Sequence, residues 1–133
     1  MAHKLFVYGT LKKGHRLNFL LQKGMFMGKY ETVDSDFRME NYFDAFPVVY
    51  RDPEGKKIKG ELYEIPTAVY EQVLAMEKGA GYDIIMIQIQ EMDDKSTEQA
   101  IMFIYPSTQS ISPGKQPLVK DEGCTMEWVR VSW

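Results

Sequence analysis

One cysteine, Cys124, occurs in the 133 residues, so no intrachain disulfide can form. A zinc site would need His3, His15 and carboxylates to converge without thiolate help, and no metal is expected. Long apolar runs are also missing. No segment approaches the ~20 residues that span a bilayer, and the opening run Leu5-Phe6-Val7-Tyr8 is too short for a secretory leader, so the cytoplasm is the expected compartment and a membrane is not an expected partner. Positive charge is in deficit. With 16 Lys+Arg against 19 Asp+Glu, the net charge of -3 gives no general attraction to a phosphate backbone, which argues against nucleic acid as a partner. The densest basic cluster, Lys56-Lys57 with Lys59, sits beside a turn and reads as a solvated edge. There is no internal repeat, low-complexity tract or linker-like stretch. Residues 1–133 are therefore read as a single domain, with 44% hydrophobic residues to build its core.

What is present is mostly strand-like. Leu5-Phe6-Val7-Tyr8, ended by Gly9, has the continuous apolar character of a strand buried on both faces. Leu17 to Leu21 carries apolar side chains at helical spacing, with Gly24 as its stop. Met25 to Val33, Phe37 to Tyr42 and Pro47 to Tyr50 favour extended structure by their aromatic and β-branched content. The turn chemistry of Arg51 to Gly55 leads into Ile58 to Ile65, which reads as a hairpin with the preceding strand. Pro66-Thr67 opens a helix that runs to about Lys78, with Thr67 as a cap and Gly79-Ala80-Gly81 as the breaker. Asp83 to Gln90 and Gln99 to Tyr105 form a second hairpin. Pro106 to Pro117 is expected to be a mobile loop, and Glu127 to Val131 a last extended stretch.

Two features carry chemistry. On the helix, Tyr70, Val73, Leu74 and Glu77 share a face, so a carboxylate lies on the apolar stripe and in the last turn. Burial and the negative end of the helix dipole both disfavour its charge, which would raise its pKa into the range of a proton shuttle. Spacing alone favours a Glu77 that merely snorkels outward past Leu74. The second feature is Tyr8-Gly9-Thr10-Leu11-Lys12-Lys13-Gly14, a turn bracketed by glycines after a buried strand. Its successive amides can form a concave anion site and Gly9 allows close approach to the main chain, although most such turns only reverse the chain. The spacing fits neither a P-loop nor a dinucleotide fingerprint.

Val7-Tyr8-Gly9-Thr10-Leu11-Lys12-Lys13-Gly14 resembles the opening signature of the γ-glutamyl cyclotransferase-like family, above all its γ-glutamylamine cyclotransferase branch. Phe46-Pro47-Val48-Val49, Gly60-Glu61-Leu62-Tyr63-Glu64-Ile65 and Val73 to Tyr82 resemble later motifs in the family's order, so the resemblance spans residues 5 to 105. It implies an α+β fold with a small mixed, partly closed β-barrel-like sheet and few helices. It also implies conversion of a γ-glutamyl amide or γ-glutamylamine to 5-oxoproline plus free amine, without metal or cofactor. Carried over, Glu77 is the acid/base. The backbone of Gly9, Thr10 and Leu11 holds the substrate's α-carboxylate, and the Tyr8 ring lines the cavity.

The chain departs from the family pattern at Val73-Leu74, where Leu-Asp is usual, at Lys78, where Gly is frequent, and at Tyr82-Asp83-Ile84, where Tyr-x-Arg is expected. These departures leave an alternative open, a non-catalytic module that binds a small γ-glutamyl-like ligand on the same fold. A third reading has a partner protein covering the cavity. Glu61 is expected to face solvent or pair across strands, Asp34 and Asp36 to cap a turn, and Tyr82 and Tyr105 to pack with their hydroxyls in water. His3 and His15 are expected to be surface groups, Cys124 lacks a nearby histidine and is not expected to be a nucleophile, and Trp128 and Trp133 are expected over a sheet edge or the cavity rim. The oligomeric state and the identity of the leaving amine are not encoded in any motif of the chain.

Overall fold

The computed structural model describes residues 2–15, 17–106 and 118–129. Nine strands and one α-helix follow in the order β1 (Ala2–Val7), β2 (Met25–Thr32), β3 (Phe37–Tyr42), β4 (Phe46–Arg51), β5 (Lys57–Pro66), α1 (Thr67–Gly79), β6 (Asp83–Glu91), β7 (Thr97–Ile104), β8 (Val119–Asp121) and β9 (Thr125–Trp128). A 3-10 turn at Asn18–Leu21 replaces the short helix expected there. Four residues allow only one tight turn, and the Gly24 amide closes it onto the Leu21 carbonyl at 2.9 Å.

The sheet order β1-β7-β6-β2-β5 returns to β1, so five strands close into a barrel. β1 runs parallel to β7 through Leu5 and Ile101, and antiparallel to β5 from Ala2 opposite Pro66 to Val7 opposite Glu61. The sheet is therefore mixed, and the fold is the α+β barrel that the sequence motifs imply. β9 extends it, pairing parallel to the first residues of β5, with β8 outside it. Lys56 and Lys59 are not merely solvated, since they pair with Asp121 and Glu122 across this extension. The expected hairpin between β4 and β5 does not form. β4 pairs back on β3 as a separate ribbon, and β5 is taken up by β1, β2 and β9. Turn chemistry at Arg51 to Gly55 identifies a change of direction but cannot name the strand's partner.

Period-2 alternation sorts the core into two clusters. Phe6 and Tyr8 belong to one with Leu62, Ile89 and Met102. Leu5 and Val7 belong to the other, with Val69 and Val73 from α1 and Phe103 from β7. Burial of each such valine contributes about 1.5–3 kcal/mol, which holds α1 against β1 and β5. Trp128, expected at an edge or rim, is 1% exposed and sits in the first cluster. The stretch expected as a mobile loop lies, from residue 107 to 117, outside the described residues, as does Trp133. Among the described residues no helix is long and apolar enough to cross a membrane.

Candidate active site

The helix end is built by its glycine. Gly81 has φ +97, a left-handed backbone that ends α1, and two bonds cap the last carbonyls. The Tyr82 amide donates to the Glu77 carbonyl at 3.0 Å and the Gly81 amide to the Lys78 carbonyl at 3.1 Å. This is a Schellman motif, and it fixes Tyr82 to the backbone of Glu77 itself. Thr67, expected as the cap at the other end, lies inside the first turn, where Pro66 is the capping residue and His3 Nε2 meets Thr67 Oγ1 at 3.1 Å.

Glu77 and Tyr82 face a cavity of about 220 Å³. Its floor is β1 and the turn that follows, from Phe6 to Leu11. Its walls come from Phe46, Pro47, Met76, Ala80 and Phe103, with Leu17 at one side. The structure thus brings Glu77 together with Tyr8, Gly9, Thr10 and Leu11, residues about 70 positions away in sequence. Glu77 is the one carboxylate lining this cavity among the described residues. Burial raises its pKa from 4.5 to about 7, and no side chain among the described residues compensates its charge. The same charge helps raise the phenols of Tyr8 and Tyr82, after the larger effect of burial on each. Both hydroxyls are spent on backbone carbonyls, Tyr8 on Phe103 and Tyr82 on Pro47, each at 2.7 Å. Tyr82 was expected to keep its hydroxyl in water, but its place after the Schellman turn drives it inward, to 7% exposed.

The turn after β1 is closed by the Lys12 amide donating to the Gly9 carbonyl at 3.0 Å, while the Leu17 amide donates to the Thr10 carbonyl at 2.8 Å. Among the described residues the amides of Gly9, Thr10 and Leu11 donate to no carbonyl or side chain. An unpaired donor in a buried turn costs about 1–3 kcal/mol unless water or a ligand takes it, so these amides are competent to hold an anion. Gly9 serves this turn by close approach. A Cβ on it would lie 2.6 Å from Cγ and 3.0 Å from Cδ of Pro47.

The family model described as gamma-glutamyl cyclotransferase, AIG2-like, matches residues 5–124. The chain belongs to this family. A relative named "Putative gamma-glutamylcyclotransferase PH0828", from Pyrococcus horikoshii, is 32% identical over 85 residues, which cover 63% of this chain and 67% of that protein. Among solved structures, the E. coli protein c4763 is 28% identical with a TM-score of 0.65, over 80% of this chain and 81% of that one. An AIG2-like protein of Mus musculus has a TM-score of 0.71 at 22% identity, over 82% and 80% of the two chains, and shows the shared fold alone.

The cyclotransferase family match reaches beyond residue 105 to include β8, a strand that the sequence motifs do not mark. The departures from the family pattern lie off the cavity. Lys78 and Asp83 are exposed, Ile84 is 37% exposed, and Leu74 packs on the helix-side cluster. Sequence reasoning missed two residues around the turn. Glu61 is buried, not solvent-facing, and accepts the Lys13 amide at 2.7 Å. Lys12 is 6% exposed and donates to the Trp128 carbonyl at 2.8 Å. Burial lowers its pKa, opposed by the charges of Glu127 and Glu61. A Lys-Lys pair carries no local sign that one member turns inward; Lys12 is drawn in by contact with β9, far off in sequence. His15 is half-buried and lowered in pKa by burial, and it does not line the cavity. Cys124 is exposed, and among the described residues no cluster of His, Cys, Asp and Glu is placed to hold a metal.

The raised pKa of Glu77 predicts a pH-dependent stability. Because its folded value of about 7 exceeds the ordinary 4.5, this group's contribution is fully present below pH 4.5 and is lost as pH rises through 7. The loss amounts to about 3 kcal/mol at most. Glu77→Gln keeps a neutral side chain at every pH. It should therefore match the parent in urea denaturation at pH 4 and exceed its stability at pH 8; an equal difference at both pH values would remove burial as the cause.

Proposed function

We propose that this protein cyclises a γ-glutamyl amide or γ-glutamylamine to 5-oxoproline and releases the amine, by intramolecular acyl transfer. The observation that carries the reading is the meeting, in one small cavity, of a single carboxyl held near pH 7 with a turn of unpaired amides. The amides of Gly9, Thr10 and Leu11 take the substrate's α-carboxylate, a charge-assisted arrangement that suits an anion. The Tyr8 ring, between the turn and Phe103, packs against the substrate's methylenes. Held by its carboxylate, the substrate places its α-ammonium toward Glu77.

The Glu77 carboxylate takes one proton from that ammonium, and the freed lone pair attacks the γ-carbonyl carbon. A C–N bond forms and closes a five-membered ring. The tetrahedral centre then collapses, the original amide C–N bond breaks, and the protonated Glu77 gives its proton to the leaving nitrogen. The ring nitrogen sheds its second proton through the same carboxylate, so both protons lost by the α-nitrogen end on the released amine. A carboxyl near pH 7 suits both halves of this exchange, since at 4.5 it would protonate the leaving group poorly. The position of Lys78, Asp83 and Ile84 outside the cavity favours turnover over mere binding.

The test is incubation of the pure protein with γ-glutamyl alkylamines, γ-glutamyl amino acids and γ-glutamyl peptides, with 5-oxoproline read by mass spectrometry. At least one class should yield 5-oxoproline and free amine in equal amounts. A protein that binds members of the panel without forming 5-oxoproline is a binding module, and the catalytic reading falls.

A further inference from the structure

The anion turn is gripped from behind by side chains that never reach the cavity. Asn18 Nδ2 donates to the Leu11 carbonyl at 2.8 Å and to the Tyr63 hydroxyl at 2.9 Å. The Tyr63 hydroxyl donates in turn to Glu61 Oε1 at 3.3 Å, and the same oxygen accepts the Lys13 amide at 2.7 Å. The chain therefore begins and ends on the turn, at a carbonyl on one side of Lys12 and an amide on the other. Glu61 and Tyr63 are 8% and 5% exposed, and burial pushes the Tyr63 phenol up to about 12, with Asn18 opposing. None of the three lines the cavity.

We infer that Asn18, Tyr63 and Glu61 form one hydrogen-bonded bracket that sets the direction of the Gly9, Thr10 and Leu11 amides, and so the affinity for the γ-glutamyl carboxylate. The inference rests on the substrate reading above, and it makes these three positioning residues. Fixing the Leu11 carbonyl and the Lys13 amide fixes the peptide planes of the short segment between them. The Leu11 amide, one of the unpaired donors, is attached directly to that segment. The turn's other ties hold different atoms, and none of them reaches the Leu11 carbonyl or the Lys13 amide. The Lys12 amide closes the turn on the Gly9 carbonyl, the Leu17 and His15 amides hold the Thr10 and Lys12 carbonyls, and the Lys12 ammonium reaches the Trp128 carbonyl and Glu127. A carboxylate is the acceptor suited to this place, because it can receive the Tyr63 hydroxyl and the Lys13 amide on one oxygen, with the Lys12 ammonium near enough to offset its charge.

The experiment compares Tyr63→Phe, Asn18→Ala and their double variant with the parent, using steady-state 5-oxoproline formation and calorimetric titration of a non-hydrolysable γ-glutamyl analogue. Each single variant should raise KM and Kd about 3- to 10-fold, the effect of one neutral hydrogen bond, with kcat within about twofold. The double variant should be little worse than the poorer single one, because a chain broken once is already broken. Glu61→Gln, which keeps an acceptor for the Lys13 amide, should recover most of the KM that Glu61→Ala loses. A role in folding alone would lower the melting temperature without moving KM in the folded protein. Folded Tyr63→Phe and Asn18→Ala proteins with the parent's KM and Kd would overturn the bracket. The bracket also has a readout that needs no substrate, the amide shifts and exchange rates of Gly9, Thr10 and Leu11 in Tyr63→Phe. Unchanged values overturn the bracket even if the parent makes no 5-oxoproline, whereas altered values in an inactive parent leave the bracket standing and remove the substrate reading.

Discussion

Glu77→Gln should lower kcat by about 10²- to 10⁴-fold while Kd for a non-hydrolysable γ-glutamyl analogue stays within a few-fold of the parent's. The size follows from what the side chain does in the proposed reaction. It is the one carboxylate on the cavity wall among the described residues, and it must both accept and return a proton. Glutamine fills the same space and leaves the anion turn untouched, but its amide cannot make that exchange. Binding should survive because the substrate's carboxylate is held about the amides of Gly9, Thr10 and Leu11. The parent's kcat should rise with pH through about 7, the value to which burial has moved Glu77, since the carboxylate form begins the reaction. Measurement of single-turnover rates across pH 5 to 9 checks both statements. A Glu77→Gln protein that turns over at the parent's rate would remove Glu77 from the mechanism.

Much of this site is legible in the sequence because its two halves are local. Spacing by three and four residues puts Glu77 on the stripe with Val73, and Gly79-Ala80-Gly81 places it in the last turn, so burial near a helix end can be read without a structure. The Tyr8-Gly9-Thr10-Leu11 turn is legible because a buried apolar run stops at a glycine. Closure of the barrel is a different matter. It rests on pairing β1 with β5, about 60 residues away, and periodicity carries no information on partners at that distance. The same limit produced the expected β4–β5 hairpin, and it hid β8, a three-residue strand with few apolar side chains. The burial of Glu61 has a different cause, the turn after β1 lying over it. Alternation along β5 separates Leu62 from Glu61 and Tyr63, but it cannot show that the turn after β1 packs on the outer face and buries the carboxylate that looks solvated.

Gly9→Ala should weaken binding of a γ-glutamyl analogue about 10- to 100-fold, the cost of misdirecting one or two hydrogen bonds to a charged group. Thr10→Ser should bind within a few-fold of the parent, because the proposed contact there uses the backbone amide. The cause lies in the approach of Pro47 and not in an unusual dihedral, since the alanine Cβ would lie only 2.6 Å from Pro47 Cγ. Pro47 cannot easily yield. It belongs to β4, it is paired across the ribbon with Asn41, and its carbonyl holds the Tyr82 hydroxyl at 2.7 Å. The turn must therefore move instead, carrying its three amides away from the carboxylate. Pro47→Ala removes the ring atoms that would clash, so the Gly9→Ala/Pro47→Ala double variant should bind more tightly than Gly9→Ala alone, with Pro47→Ala as the reference. Calorimetric titration of the analogue into all four proteins, after circular dichroism shows each to be folded, reads the comparison. Parent-like affinity in a folded Gly9→Ala protein would show that the turn does not hold the carboxylate. A double variant no better than Gly9→Ala would show that contact with Pro47 is not what fixes the amides in place.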